Sequence, residues 1–157
     1  IPQDMQGHNL LKVIKNDDSI REAGLFGMFG GHINCTDGRY VYMRAPSGTN
    51  SPLYEHTLMP CHMKRTFPVD ELQNIVLSEP FEFTKGCRMM KIYGYPFQHK
   101  NKELLDFSTM LYDIQNDPNQ QQPIKNSEVE SRMCDYMISL MKQNAAPGEQ
   151  YDRLGLT

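Results

Sequence analysis

The chain of 157 residues has no long block of one charge: its formal charge is −3, and its acids and bases are interspersed. A nucleic-acid binder usually carries a basic stripe, so that class is disfavoured. No apolar run approaches the roughly 18 residues of a membrane span, and no signal peptide is visible. There is also no initiator Met. The opening IPQDMQG reads like the middle of a loop, so the chain is expected to be a piece of a larger protein. A missing targeting signal then carries little weight, and the compartment stays unknown. The four cysteines, Cys35, Cys61, Cys87 and Cys134, form no C-x-x-C pair. Reduced structural thiols are the simplest reading, which leans cytoplasmic. The sharper alternative is a zinc site from His32, Cys35, Cys61 and His62. Its spacings are not those of common zinc modules, and adjacent Cys61 and His62 would point to opposite faces of a strand. A Rossmann-type glycine fingerprint, a P-loop and internal repeats are all absent from the sequence.

The most regular stretch is HINCTDGRYVYMRA, residues 32–45. Two β-friendly runs flank Asp37-Gly38, a strong signal for a two-residue type I′ hairpin. In that register Thr36 faces Arg39, Cys35 faces Tyr40, Asn34 faces Val41 and Ile33 faces Tyr42. Alternation puts Ile33, Cys35, Tyr40 and Tyr42 on one face, which reads as core. His32, Asn34, Thr36, Arg39, Val41 and Met43 share the other, mixed face.

Around the hairpin the pattern is coarser. Residues 9–14 read as a short helical turn and Asn16-Asp17-Asp18 as a turn. Ser19 and Glu22 have capping-box spacing, so a brief helix is expected after them. Residues 23–31 alternate glycines with Leu25, Phe26, Met28 and Phe29, which suits a buried strand with bulges. A third strand is expected over 52–63, stopped or kinked at Pro60. A short helix is expected over 68–77, with Pro68 near its first position. Phe81-Glu82-Phe83 alternates, and residues 87–95 and 110–114 are strand candidates. Residues 100–107 are ambiguous. QNDPNQQQP must be a loop.

The clearest helix is 127–143, with Ser127 and Glu130 as a second capping box. Its apolar stripe is Val129, Met133, Met137, Leu140 and Met141, expected to bury Met133, Met137 and Leu140. The tail 151–156 should dock back. Strands first and a long helix last make an α+β fold: an antiparallel β-sheet with a long C-terminal helix packed on it.

Three segments resemble the C-terminal region of sulfatases of the alkaline-phosphatase superfamily. IPQDMQGHNLL is similar to the P-x-x-x-x-G-x-S-L stretch that follows the catalytic half. TDGRYVYMR resembles the R-T-G-R-Y-K-Y strand pair, and LYDIQNDP resembles LYDL-x-x-DP-x-E. They occur in the family's order and span most of the chain. Gln120 stands where an acid is usual, and Pro123-Ile124 where Asn-Leu is common; both lie in a loop.

The resemblance implies that residues 1–157 are a single C-terminal subdomain, with the family's own catalytic α/β domain as its partner. The parent would hydrolyse sulfate esters of a small molecule or glycan, using a divalent cation (Ca or Mg) and a formylglycine made from Cys/Ser-x-Pro-x-Arg. That signature is absent here. Cys35-Thr36-Asp37-Gly38-Arg39 and Cys61-His62-Met63-Lys64-Arg65 both read C-x-x-x-R, but neither has the proline. Asp17-Asp18 follows Lys15-Asn16 and reads as a turn, not as the family's metal-binding pair. No catalytic residue and no metal ligand is therefore expected in this chain, and an exposed apolar patch including Phe26, Met28 and Phe29 is. On the mixed hairpin face, His32 and Arg39 are the candidates for the rim of the parent's substrate pocket. An ordinary strand residue is the simpler reading of each. His62 and His99 have no evident partner and read as surface. The alternatives are the same subdomain of a related phosphodiesterase or phosphotransferase, or a free-standing α+β binding or oligomerisation module.

Overall fold

The computed structural model describes residue 5 and residues 7–59, 61–62, 64–94 and 108–156. Pro60, His99 and the ambiguous stretch 100–107 lie outside them. The architecture is α+β. A short helix α1 (Leu11–Asn16) precedes three strands, β1 (Gly24–Gly27), β2 (Ile33–Thr36) and β3 (Tyr40–Arg44). Next come β4 (Tyr54–Thr57), β5 (Cys61–His62), β6 (Arg65–Thr66), helix α2 (Val69–Gln73), β7 (Val76–Leu77) and β8 (Met90–Tyr93). The chain closes with β9 (Met110–Asp113), the long helix α3 (Ser127–Gln143) and α4 (Gly148–Leu154). Antiparallel pairing gives a four-stranded sheet β1-β2-β3-β9, a three-stranded sheet β4-β8-β7 and the β5-β6 ribbon.

The first sheet and α3 make the main core. Cys35, Tyr42 and Leu111 project from β2, β3 and β9 onto Val129, Met133, Met137 and Met141 of α3, with Leu154 of α4 closing one side. Met133 and Met137 are 0% exposed, whereas Leu140, at the margin of the stripe, is half-buried. The helix has the length its periodicity requires, but its cap differs from the expected Ser127. Asn126 holds the extended N-cap conformation, and its Oδ1 accepts from the Val129 N–H at 3.1 Å. Only a residue outside the helical dihedrals can turn its side chain back onto the free amides. Ser127 is already helical.

The hairpin keeps its predicted faces but not its register. Thr36 pairs with Val41 and Cys35 with Tyr42, a shift of two positions that preserves the alternation. A type I′ turn needs positive φ at both central residues. Gly38 has it, at 89°, and Asp37 does not. The Asp37 carboxylate closes the turn instead, accepting from the amides of Arg39 (2.9 Å) and Tyr40 (2.7 Å), while the Gly38 N–H donates to Thr36 Oγ1.

Other expectations are corrected. Segment 23–31 is not a buried strand: among the described residues β1 is the outer strand of its sheet, with Leu25 turned to the core and Phe26 to the outside. No helix follows Ser19, whose hydroxyl donates to the Arg21 carbonyl at 2.6 Å. Residues 52–63 divide between β4 and β5, in different sheets. Pro68 is the N-cap of α2, which ends by Asn74 so that Val76-Leu77 can pair with β8. Phe81-Glu82-Phe83 enters a 3-10 turn, with the two rings stacked 5.4 Å apart. The tail does dock: Leu154 is buried, and Arg44 Nε and Nη2 donate to the carbonyls of Leu154 and Gly155.

Candidate functional site

The two residues singled out on the hairpin do not meet. His32 precedes β2 and Arg39 follows it in the turn, so they lie at opposite ends of the strand. His32 Nε2 is 2.9 Å from the Ser108 carbonyl oxygen. Arg39 Nη2 donates to Asp113 Oδ2 at 3.0 Å, and the guanidinium stacks over the Tyr40 ring. On the other side of the turn Arg132, from α3, donates to Asp37 at 3.0 Å. The guanidinium of Arg39, chiefly through its hydrogen bond, holds Asp113 below the usual carboxylate range. Burial pushes the Asp37 carboxyl up, but the Tyr40 and Arg39 amides and Arg132 outweigh it and the net shift is downward. This is a set of ion pairs that ties the hairpin tip to β9 and α3.

The cysteines are not poised as nucleophiles. Burial, with the nearby Asp37 charge and Cys134 adding to it, pushes the Cys35 thiol up to about 11. A thiol at that value holds almost no thiolate near neutrality. Burial also raises the Cys134 thiol. Cys35 sits in the helix-backed sheet and Cys61-His62 in the ribbon, so the four residues of the zinc alternative are not gathered. Among the described residues no group of three or more His, Cys, Asp or Glu could hold a metal ion. Asp17, expected in a turn after a helix ending at residue 14, is the left-handed C-cap of α1, which runs on to Asn16.

Two histidine clusters were not legible in the sequence. His62 is no free surface residue. Its Nε2 lies 2.6 Å from Glu71 Oε2 on α2, its Nδ1 lies 3.6 Å from Glu55 on β4, and its ring meets the edge of Phe67. The cluster pins the ribbon to α2 and β4. The second joins the three-stranded sheet to α4. Lys91 Nζ is 2.8 Å from Glu149 Oε1 and 4.2 Å from the centre of the Tyr54 ring, and His56 Nε2 is 3.8 Å from the same carboxylate. Burial, opposed by Glu149 and aided by Lys91, lowers the His56 pKa. Burial raises the Glu149 carboxyl, but its pairing with Lys91 prevails and lowers it. Val76, Leu77 and Phe81 flank these groups around an open depression of about 420 Å³. Both clusters join residues from separate elements, so no sequence spacing announces them. Neither brings together a nucleophile and a base.

Helix α4 holds a buried cation. Arg153 is 1% exposed and donates to Gln150 Oε1, the Gly31 carbonyl and Asn50 Oδ1 at 2.8–3.1 Å. All three acceptors are neutral, and burial lowers its pKa. Asn50 in turn donates to the Gly30 carbonyl at 2.7 Å. This seat fixes the Met28–His32 turn, whose Met28 and Phe29 are 58% and 48% exposed. Phe26, next to them, is 50% exposed and lies opposite Asn34, whose buried Oδ1 has no hydrogen-bond donor among the described residues.

No protein-family model, curated protein or solved structure matches the chain.

Proposed function

We propose that the chain is the non-catalytic C-terminal subdomain of a sulfatase-like hydrolase of sulfate esters, completing the fold of a catalytic α/β half that carries the nucleophile and metal. The observation that carries this reading is the β3–β9 pairing. The two segments most similar to the family, TDGRYVYMR and LYDIQNDP, lie some 70 residues apart in sequence and form adjacent strands, with Tyr40 opposite Asp113 and Tyr42 opposite Leu111. The Arg39–Asp113 ion pair joins one motif to the other.

The exposed Phe26, Met28 and Phe29 and the orphan Asn34 oxygen support the same reading. A monomer rarely leaves a large apolar patch bare, and a buried acceptor without a donor costs about 1–3 kcal/mol. A packed catalytic half would cover the first and bring a donor to the second. In this reading His32 and Arg39 are the pocket-rim candidates. Each already has a partner in this chain, His32 the Ser108 carbonyl and Arg39 the Asp113 carboxylate.

The test has two parts. The coding sequence upstream of Ile1 is expected to contain C/S-x-P-x-R. The full gene product is expected to cleave an aryl sulfate, and the purified chain alone is expected not to. Turnover by the chain alone that disappears in Cys35→Ala or Cys61→Ala would overturn the proposal, as would an upstream region without a catalytic domain.

A further inference from the structure

Helix α4 is fastened at its two ends to different parts of the molecule. Its C-terminal end belongs with the helix-backed sheet. Leu154 lies in the main core, the Ser47 N–H donates to the Arg153 carbonyl at 2.7 Å, and Arg44 donates to the carbonyls of Leu154 and Gly155. Its N-terminal end meets the three-stranded sheet through Glu149, whose carboxylate faces Lys91 of β8 and His56 of β4. The helix has 7 residues. A helix so short has little stability of its own, so its first turn depends on what holds Glu149.

The charges at that end can be counted. Glu149 Oε1 is cut off from water, and Lys91 Nζ lies 2.8 Å from it. His56 Nε2 stands 3.8 Å from the same oxygen, beyond hydrogen-bond length. The His56 and Glu149 side chains are 14% and 15% exposed, and the Phe81 ring meets the imidazole edge-on at 5.1 Å. The other titratable groups nearby are turned elsewhere. Tyr54 lies under the Lys91 ammonium, Glu79 on the rim of the depression is 88% exposed and paired with Arg88, and Glu55, beside His56 in β4, meets His62. With His56 neutral, the site holds one anion and one cation. A proton on His56 sets two cations against a carboxylate that is already engaged, where little water reaches to spread the charge. The lowered His56 pKa has the same origin: burial first and Lys91 with it, against Glu149.

We propose that the Glu149–Lys91–His56 contact is an acid-sensitive clasp: a proton on His56 loosens the first turn of α4 from the three-stranded sheet while its last turn stays in the core. The inference is independent of the sulfatase-like reading. The clasp is closed above the ordinary histidine range and opens as pH falls through it, because the freed imidazole takes the proton more readily than the packed one. Lys91 sets the sign. Without its charge, Glu149 keeps His56 as its neighbouring base, and a proton shared between the two fastens the helix instead of freeing it.

Amide hydrogen exchange at pH 7 and pH 5, corrected for the intrinsic pH dependence of exchange, tests this. At both pH values the amides of Gln150, Tyr151 and Asp152 are expected to be less protected than those of Met133 and Met137, because the first turn of α4 opens without the core. Their protection is expected to fall roughly threefold from pH 7 to pH 5 as the clasp takes up its proton. In His56→Gln the fall is expected to shrink to a small remainder, and in Lys91→Gln the change is expected to reverse, with acid raising the protection. Equal protection of α4 and core amides would overturn the proposal, since the turn would then open only with the whole chain. So would a fall of the same size in His56→Gln, which would place the titrating group elsewhere. A fall in Lys91→Gln as large as in the wild type would also overturn it, because the contact would then not work as a unit of three charges.

Discussion

Helices α3 and α2 both start from apolar residues at helical intervals, yet one is the centre of the core and the other lies almost bare. α3 buries Val129, Met133, Met137 and Met141. α2 buries none of its residues, and Val69 and Leu72 remain exposed. The same contrast divides their regions. The helix-backed sheet shares one apolar cluster, whereas the three-stranded sheet and its ribbon rely on a few isolated buried residues, Leu53, Phe67 and Ile92, together with ion pairs. Periodicity tells which residues share a face. It does not tell whether another layer covers that face. Stability is therefore expected to concentrate in the first region, and local opening in the second.

Four substitutions probe that division. The largest effect is expected for Met137→Ala, which removes a fully buried side chain from the α3–sheet contact and should cost about 2–5 kcal/mol. Leu72→Ala, in the same chemical class but on the exposed helix, should cost no more than about 0.5 kcal/mol. Urea unfolding of both variants gives the two values side by side; equal losses would erase the distinction between the regions. A middle effect is expected for Asn126→Ala. It leaves the core intact but removes the cap from the Val129 amide, at a cost of about 1 kcal/mol. Ser127→Ala should cost less, and the reverse order would restore the capping box read from the sequence.

The smallest effect is a pH dependence in the outer region. The folded protein holds the His56 pKa below its ordinary value of about 6.5. A depressed pKa means the unfolded chain takes up the proton first. The neutral ring's contribution is complete above the unfolded value and is lost as pH falls through it toward the folded pKa. The groups facing His56 work against each other, Glu149 favouring the proton and Lys91 opposing it. Thermal unfolding at pH 7 and pH 5 should show a smaller acid-induced drop in Tm for His56→Gln than for the wild type. An unchanged drop would remove His56 from the account.

Much of the helix-backed sheet was legible in residues 32–45 and 110–143, because each face there alternates at a fixed period against a continuous apolar layer. Parity survived in the hairpin although its register did not: a shift of two keeps every side chain on its face. Asp37 chose that register by using its carboxylate to close the loop, a choice that Asp-Gly statistics do not contain. The candidate site was less legible. His32 and Arg39 shared a face by alternation, but distance along the strand and the Asp113 carboxylate separated their roles. His56 and His62 found their acids on α4 and α2, through contacts that only the packed chain creates.

By itself, the sequence determined the α+β class, the extent of α3, the stripe that faces the sheet and the inward turn of Cys35. These follow from local periodicity and from the cost of leaving apolar area in water. Tertiary structure alone decided that β1 is the outer strand among the described residues, that β4 and β5 lie in different sheets, and that Arg153 is buried among neutral acceptors that include the Gly31 carbonyl. Strand neighbours and ion-pair partners depend on which distant segments share a layer, and hydrogen bonds between such segments have no period along the chain.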